Sequence, residues 1–321
     1  MKHFLINLFK IDRQPRKGLL PVEWVMGGYL LLTLLIVLFA YTKIANPESM
    51  ITGRMRIVAI TVALWIVYRL VPCRFTVMLR VLAQMLLLGW WYPDTYEINR
   101  LLPNLDHVFA TWEQGLFGFQ PALVFAANYP QRWVSELMDM AYSAYFPLIA
   151  TVAFFYFFRR YKEFQRCAFV IMASFFVYYV VFILLPVAGP MFYYKAVGTG
   201  EIARGIFPDV GYYFNSHRDM LPSPGWKDGF FYQMVADVHA AGERPTAAFP
   251  SSHVGISTVC MLLAWHSGNR RLFYLLLPFY VLLCLSTVYI QAHYAIDALA
   301  GLVTGALLYG SLMAVSRKMR S

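Results

Sequence analysis

Residues 166–187 read RCAFVIMASFFVYYVVFILLPV, and after Arg166 no Asp, Glu, Lys or Arg occurs until Lys195. A bilayer core of about 30 Å takes about 20 apolar residues in a helix, so this stretch alone reads as a membrane crossing. Seven further runs of similar length and polarity lie at about 22–42, 54–72, 76–92, 135–158, 252–267, 271–291 and 294–314. The second and third are separated only by Val71-Pro72-Cys73-Arg74-Phe75, which makes them a helical hairpin or a partly re-entrant pair. The expected fold is an all-α integral membrane protein, a polytopic bundle of about six to eight transmembrane helices.

The whole chain agrees with its central run. Of 321 residues, 60% are hydrophobic and 14% charged, against roughly 45–50% and 25% in soluble domains. The mean hydropathy is +0.54. A water-soluble globule is excluded because too little polar surface is available to cover it. Cys73, Cys167, Cys260 and Cys284 stand singly, with neither zinc-site spacing nor the density of a disulfide framework. The formal charge of +10 would suit nucleic acid only if the cations formed a stripe. They instead fall in short clusters between the apolar runs, so no nucleic-acid partner is expected.

Those clusters set the expected topology. With the N-terminus inside, segments 1–21, 69–80, 159–166, 268–271 and 315–321 lie at the inner face and hold 17 of the 27 Lys and Arg residues. That asymmetry follows the positive-inside rule. Arg54 and Arg56, at the outer end of the second run, stand against it. The apolar run that follows the cationic stretch is long and lacks a small-x-small cleavage site, so it reads as an uncleaved anchor. Both termini are then cytoplasmic, and two long loops, about 93–134 and 188–251, face outward. Their aromatic residues, Trp112, Tyr193, Tyr194, Tyr212, Tyr213 and Trp226 among them, suit chain lying at headgroup level. With no organelle address visible, the expected location is a plasma (inner) membrane.

Two segments carry candidate chemistry. Phe249-Pro250-Ser251-Ser252-His253 joins a loop to the sixth run. Ser251 or Ser252 can cap the helix that follows, and free N–H groups at a helix start attract phosphate. In His293-Tyr294-Ala295-Ile296-Asp297 a histidine and a carboxylate stand four apart, one face of a helix. The carboxylate can then orient the imidazole and stabilise its cation. The topology puts His253, His293 and Asp297 on one outer face. Rare ionisable groups clustered there read as a functional site. His/His/Asp also suits zinc, but no third nitrogen or sulfur ligand has suitable spacing, so neither metal nor other cofactor is expected. His3, His107, His217, His239 and His266 are read as having no catalytic part.

These two segments resemble the second and third motifs of the type 2 phosphatidic acid phosphatase superfamily. The turn Leu185-Pro186-Val187-Ala188-Gly189-Pro190 looks like the first-motif region of its inositolphosphotransferase branch, which includes the fungal inositol phosphorylceramide synthases. The sphingomyelin synthases are more distantly similar through the His-Tyr-x-x-Asp element. The phosphatase branch has Lys and Arg in its first motif, Pro-Ser-Gly-His in its second and Ser-Arg ahead of its final His. Here Met191 follows Gly189-Pro190, Ser252 replaces the Gly, and Thr287 takes the Arg position.

The resemblance implies a six-helix phosphatase-type core. It divides the chain into accessory helices with a cytoplasmic N-terminal segment, 1–75, and a catalytic domain, 76–321. It further implies phosphoryl transfer without a metal: His293 as nucleophile, Asp297 holding its ring, His253 as acid and then base. Ser251, Ser252, Gly189 and Pro190 would frame the phosphate, with Arg244 and Lys195 replacing the absent motif cations, since phosphoryl transfer depends on charge stabilisation. The substrate would be a membrane phospholipid or lipid phosphate, the acceptor a second lipid hydroxyl or water. Two other classes remain at this point: a transporter or flippase, which requires a polar path across the membrane, and a catalytically silent lipid-binding protein.

Overall fold

A computed structural model describes residues 2–318, with no side-chain account at residues 2–5, Ala241 and Lys318. The expectations for Lys2, His3, Lys318 and Arg320 therefore lie outside the described side chains. Helices and the loops joining them make up the structure, with no strand among the described residues. In order the helices are α1 (Lys2–Phe9), α2 (Pro21–Phe39), α3 (Pro47–Leu70), α4 (Arg74–Asn99), α5 (Asp106–Phe117), α6 (Pro121–Asn128), α7 (Arg132–Ser143), α8 (Tyr145–Arg159), α9 (Tyr161–Leu184), α10 (Pro190–Val197), α11 (Thr199–Ala203), α12 (Phe230–Gly242), α13 (Ser252–His266), α14 (Arg270–Tyr289) and α15 (Ala295–Lys318). Proline opens α2, α3, α6 and α10, where its missing N–H costs nothing. Gly268 follows the end of α13 at φ 74°, the left-handed conformation that closes a helix.

Among the described residues six helices, α2, α3, α4, α9, α14 and α15, are long and apolar enough to cross a membrane. The expected fourth crossing is a pair, α7 and α8, bent by 43°. Pro147, in the first turn of α8, has no N–H to give the Ser143 carbonyl, which is the bond that would have joined the two helices. The expected sixth crossing, α13, has 15 residues, about 22 Å at 1.5 Å per residue; it is shorter than the six long helices and runs from Ser251, bonded to Asp297, to His266, beside Glu163 at the α8–α9 end of the bundle. The expected outer loop at 93–134 is also largely helical: α4 runs on to Asn99, and α5 and α6 follow it.

The core is built around α9, whose apolar window is 78% buried against 17–39% in the other five long helices. Glycines let α13 and α15 touch backbone to backbone. A Cβ on Gly301 would lie 2.6 Å from the Ser251 carbonyl oxygen, and one on Gly305 would lie 2.5 Å from that of Gly255. This small-xxx-small spacing brings α15 against the start of α13. Buried ion pairs tie the first helices together. Arg54 Nη1 and Nη2 meet the Asp94 carboxylate at 3.0 and 2.6 Å, and Arg80 Nε and Nη2 meet Glu23 at 2.7 and 2.5 Å. Arg54, which counted against the topology, is thus a neutralised interhelical partner and carries no net charge signal at its end of α3.

Candidate active site

Ser251 is the N-cap of α13. Its Oγ accepts from Val254 N at 3.3 Å, and its own N–H donates to the Asp297 carbonyl at 3.0 Å. The cap therefore fixes the start of α13 against the first turn of α15. His253, the second residue of α13, lies between two tyrosines flanking the break at Ala144. Its ring centroid is 4.7 Å from that of Tyr142, stacked, and 4.4 Å from that of Tyr145.

His293 precedes α15 in a turn that closes with His293 N donating to the Thr287 carbonyl at 3.0 Å and Gln291 at φ 65°. The two rings meet with His253 Nδ1 3.3 Å from His293 Nε2. His293 Nδ1 lies 2.8 Å from the Ala248 carbonyl, an acceptor only, so the Nδ1 proton is assigned there and the Nε2 lone pair faces His253. Asp297 approaches the same Nδ1 at 3.7 Å, within ion-pair range but beyond a hydrogen bond. Its Oδ2 accepts instead from Tyr294 N at 2.8 Å. The spacing argument put His293 and Asp297 on one helical face. The structure places the histidine in the preceding turn and assigns its orienting hydrogen bond to a backbone carbonyl from the other motif.

The first-motif turn packs against both. Gly189 has φ 93°, and a Cβ there would come 2.7 Å from the Ala292 carbonyl oxygen, so no other residue fits without displacing the His293 turn. Ala248 N donates to the Val187 carbonyl at 3.0 Å and Met191 N to that of Gln291 at 2.9 Å. Pro190 opens α10 immediately beside this contact. Ser252 is half-buried at the first position of α13. The two expected cations are placed differently. Lys195 is exposed in the last turn of α10, without a hydrogen bond or ion pair among the described residues. Half-buried Arg244 donates from Nη1 to the Glu243 carbonyl at 2.9 Å.

Sequence reading passed over two acids that support the site. Asp106, fully buried at the start of α5, accepts four hydrogen bonds: Oδ2 from Ala188 N (2.6 Å) and Asn104 Nδ2 (2.6 Å), Oδ1 from Gly189 N (2.8 Å) and Tyr294 OH (3.0 Å). It joins the first-motif turn to the residue after His293. Glu113, also fully buried, accepts from Ile296 N at 3.5 Å in the first turn of α15. The one available signal was their spacing of seven, two turns of one helix, which puts both acids on a single face. Two of the histidines read as silent are accounted for by ion-pair contacts, His107 to Asp209 and His266 to Glu163, and His217 stacks on Tyr213. His239 is buried, its ring 6.0 Å from that of Tyr142.

Burial dominates the charge states of the groups outside the crossings. It lowers His293 to about 4, the Ala248 hydrogen bond acting the other way, so at neutral pH the ring is uncharged. It raises Glu113 to about 8 and raises Asp106 above the usual carboxylate range against the pull of its four donors.

Packed apolar helices thus bring two imidazoles and a carboxylate together at one end of the bundle. Residues 107–311 match the family model of the PAP2 superfamily, and the chain belongs to that superfamily. No curated protein and no solved structure matches the chain. Membership places it among phosphatases and phosphotransferases acting on lipid phosphates.

Proposed function

We propose that the protein transfers or hydrolyses the phosphoryl or phospho-headgroup of a membrane lipid through a phosphohistidine on His293, as an inositolphosphotransferase-like enzyme or a lipid phosphate phosphatase. The observation that carries this reading is the 3.3 Å contact between His253 Nδ1 and His293 Nε2, with His293 Nδ1 held at 2.8 Å by Ala248. One hydrogen bond fixes the tautomer; the other atom is left free to attack.

In the first step His293 Nε2 attacks phosphorus and the bond to the leaving oxygen breaks; His253, which burial and the neighbouring His293 hold neutral, takes up a proton as the anionic phosphate enters beside it and gives that proton to the leaving oxygen. The ring carrying the new N–P bond keeps its Nδ1 proton and becomes cationic. The Ala248 carbonyl and the Asp297 carboxylate, 3.7 Å away, stabilise that cation. In the second step His253 takes the proton of water or of a lipid hydroxyl, whose oxygen displaces the histidine from phosphorus. The closed 3.3 Å contact leaves no room for phosphorus, so substrate entry separates the rings. Ser251, Ser252, Gly189 and Pro190 frame the phosphate, and Arg244 and Lys195 supply charge from the loop. The positive-inside pattern supports an extracytoplasmic position for this site.

The test is a phosphohistidine trap with mixed membrane lipids, read by mass spectrometry of protein, headgroup and lipid. Wild type is expected to show an acid-labile phosphate on His293, and His293→Ala to lose turnover by at least about a thousandfold. Unchanged turnover in that variant overturns the mechanism. Free phosphate as sole product indicates hydrolysis; a new lipid phosphodiester indicates transfer.

A further inference from the structure

A cavity lies far from the histidines. It has a volume of about 570 Å³ and is lined by Lys10, Arg13, Arg74, Asp12, Tyr68 and Tyr161, among others. Arg74 opens α4, while Asn99, the last residue of that helix, donates from Nδ2 to Thr246, close to the Ala248 carbonyl that holds His293. The 26 residues of α4 rise about 39 Å. The cavity is therefore at the opposite end of the bundle from the candidate active site.

The chain builds this cavity deliberately. Residues after α1 form a strap across the ends of α3, α4 and α9. Asp12 N donates to the Pro72 carbonyl at 2.7 Å, Arg16 N to Tyr68 OH at 3.0 Å, and Arg16 Nη1 to Gln165 Oε1 at 3.1 Å. The Arg74 guanidinium lies 4.3 Å from the centroid of the Tyr161 ring, with Val77 and Cys73 adding apolar lining. Three cations against one acid, over an aromatic floor, fit an anion joined to an apolar body. Ile6, Phe9 and Ile11 are each more than half exposed on α1 and the strap. Such residues belong against acyl chains, which puts the cations beside them at headgroup level.

We propose that this cavity binds the phosphate headgroup of an anionic phospholipid, in the leaflet opposite the active site, with Lys10, Arg13 and Arg74 as its cationic contacts. A soluble phosphate ester presents the same group, but the exposed apolar residues favour the lipid. The positive-inside pattern makes this the inner leaflet, where anionic lipids attract juxtamembrane Lys and Arg.

Full-length protein in neutral detergent is titrated with phosphatidylglycerol or phosphatidylcholine, and bound lipid is counted by native mass spectrometry. This readout does not depend on turnover, so His293→Ala retains the lipid whether or not the catalytic proposal holds. Wild type is expected to hold one phosphatidylglycerol well above phosphatidylcholine, and Arg13→Gln/Arg74→Gln to hold it about 30-fold more weakly. Arg13 and Arg74 are exposed, and melting temperature confirms folding. Arg159→Gln, an exposed cation outside the cavity, is expected to change nothing. Equal losses in Arg159→Gln, no loss in the double variant, or no preference for phosphatidylglycerol overturns the site. Competition by glycerol 3-phosphate as strong as by the lipid overturns the lipid as its occupant.

Discussion

Asp106→Asn changes one atom and isolates the contribution of the buried carboxylate. Each of its oxygens accepts from one backbone N–H of the first-motif turn and one side-chain donor. An amide group must put NH₂ in one of these places. Facing Ala188 and Asn104, it opposes two donors. Facing Gly189 and Tyr294, it opposes one, because the Tyr294 hydroxyl can rotate and accept. The second orientation is cheaper and leaves the buried Gly189 N–H without a partner, a loss of about 1.5–3 kcal/mol for a bond to a charged acceptor. Gly189 is also where the turn presses on Ala292, so its relaxation displaces His293, and a shift of about 1 Å in a reacting group costs about a hundredfold in rate. The expected result is a melting temperature several degrees lower in detergent, a kcat lower by about two orders of magnitude and a nearly unchanged KM. A variant that melts and turns over like wild type would refute the account of how the first motif reaches the histidine.

Two buried groups give opposite pH slopes. His293 sits near 4 in the folded protein against about 6.5 unfolded, so as pH falls between those values the unfolded chain gains a proton the folded chain refuses. Stability from this group is full above about pH 6.5 and is lost toward about 4; His293→Gln should flatten that acid limb in thermal melts. Glu113 is raised to about 8 from about 4.3 unfolded, so stability falls as pH rises through that window. Glu113→Gln should match wild type near pH 5 and exceed it above pH 8. Gly301→Ala drives a methyl toward the Ser251 carbonyl and should cost about 1–3 kcal/mol together with activity, since that carbonyl belongs to the cap that positions His253. Asp94→Asn removes the charge opposing buried Arg54 and should cost about 3–5 kcal/mol, most of which an apolar replacement of both partners would restore. Chemical denaturation in detergent measures both costs.

The membrane crossings were legible wherever an apolar run was long, as in α9 and α14, because a bilayer imposes length and polarity on each helix separately. The bend at Ala144 and the shortness of α13 were not, because both depend on neighbouring helices accepting a broken or short segment. At the site, the sequence marked His253, His293 and Asp297, since charged side chains are costly in lipid and stand out against it. It missed Asp106 because a lone acid at a helix start has many roles, and its four donors come from residues 2 to 188 positions away.

The sequence by itself determined the solvent, the helices and the order of three motifs, because each depends on neighbours a few residues apart. Only the tertiary structure decided that His253 and His293 touch and that a backbone carbonyl at Ala248, with Asp297 farther off, orients the His293 ring. A carbonyl is present at every position, so no residue type announces it; only the folded chain selects which one meets the ring.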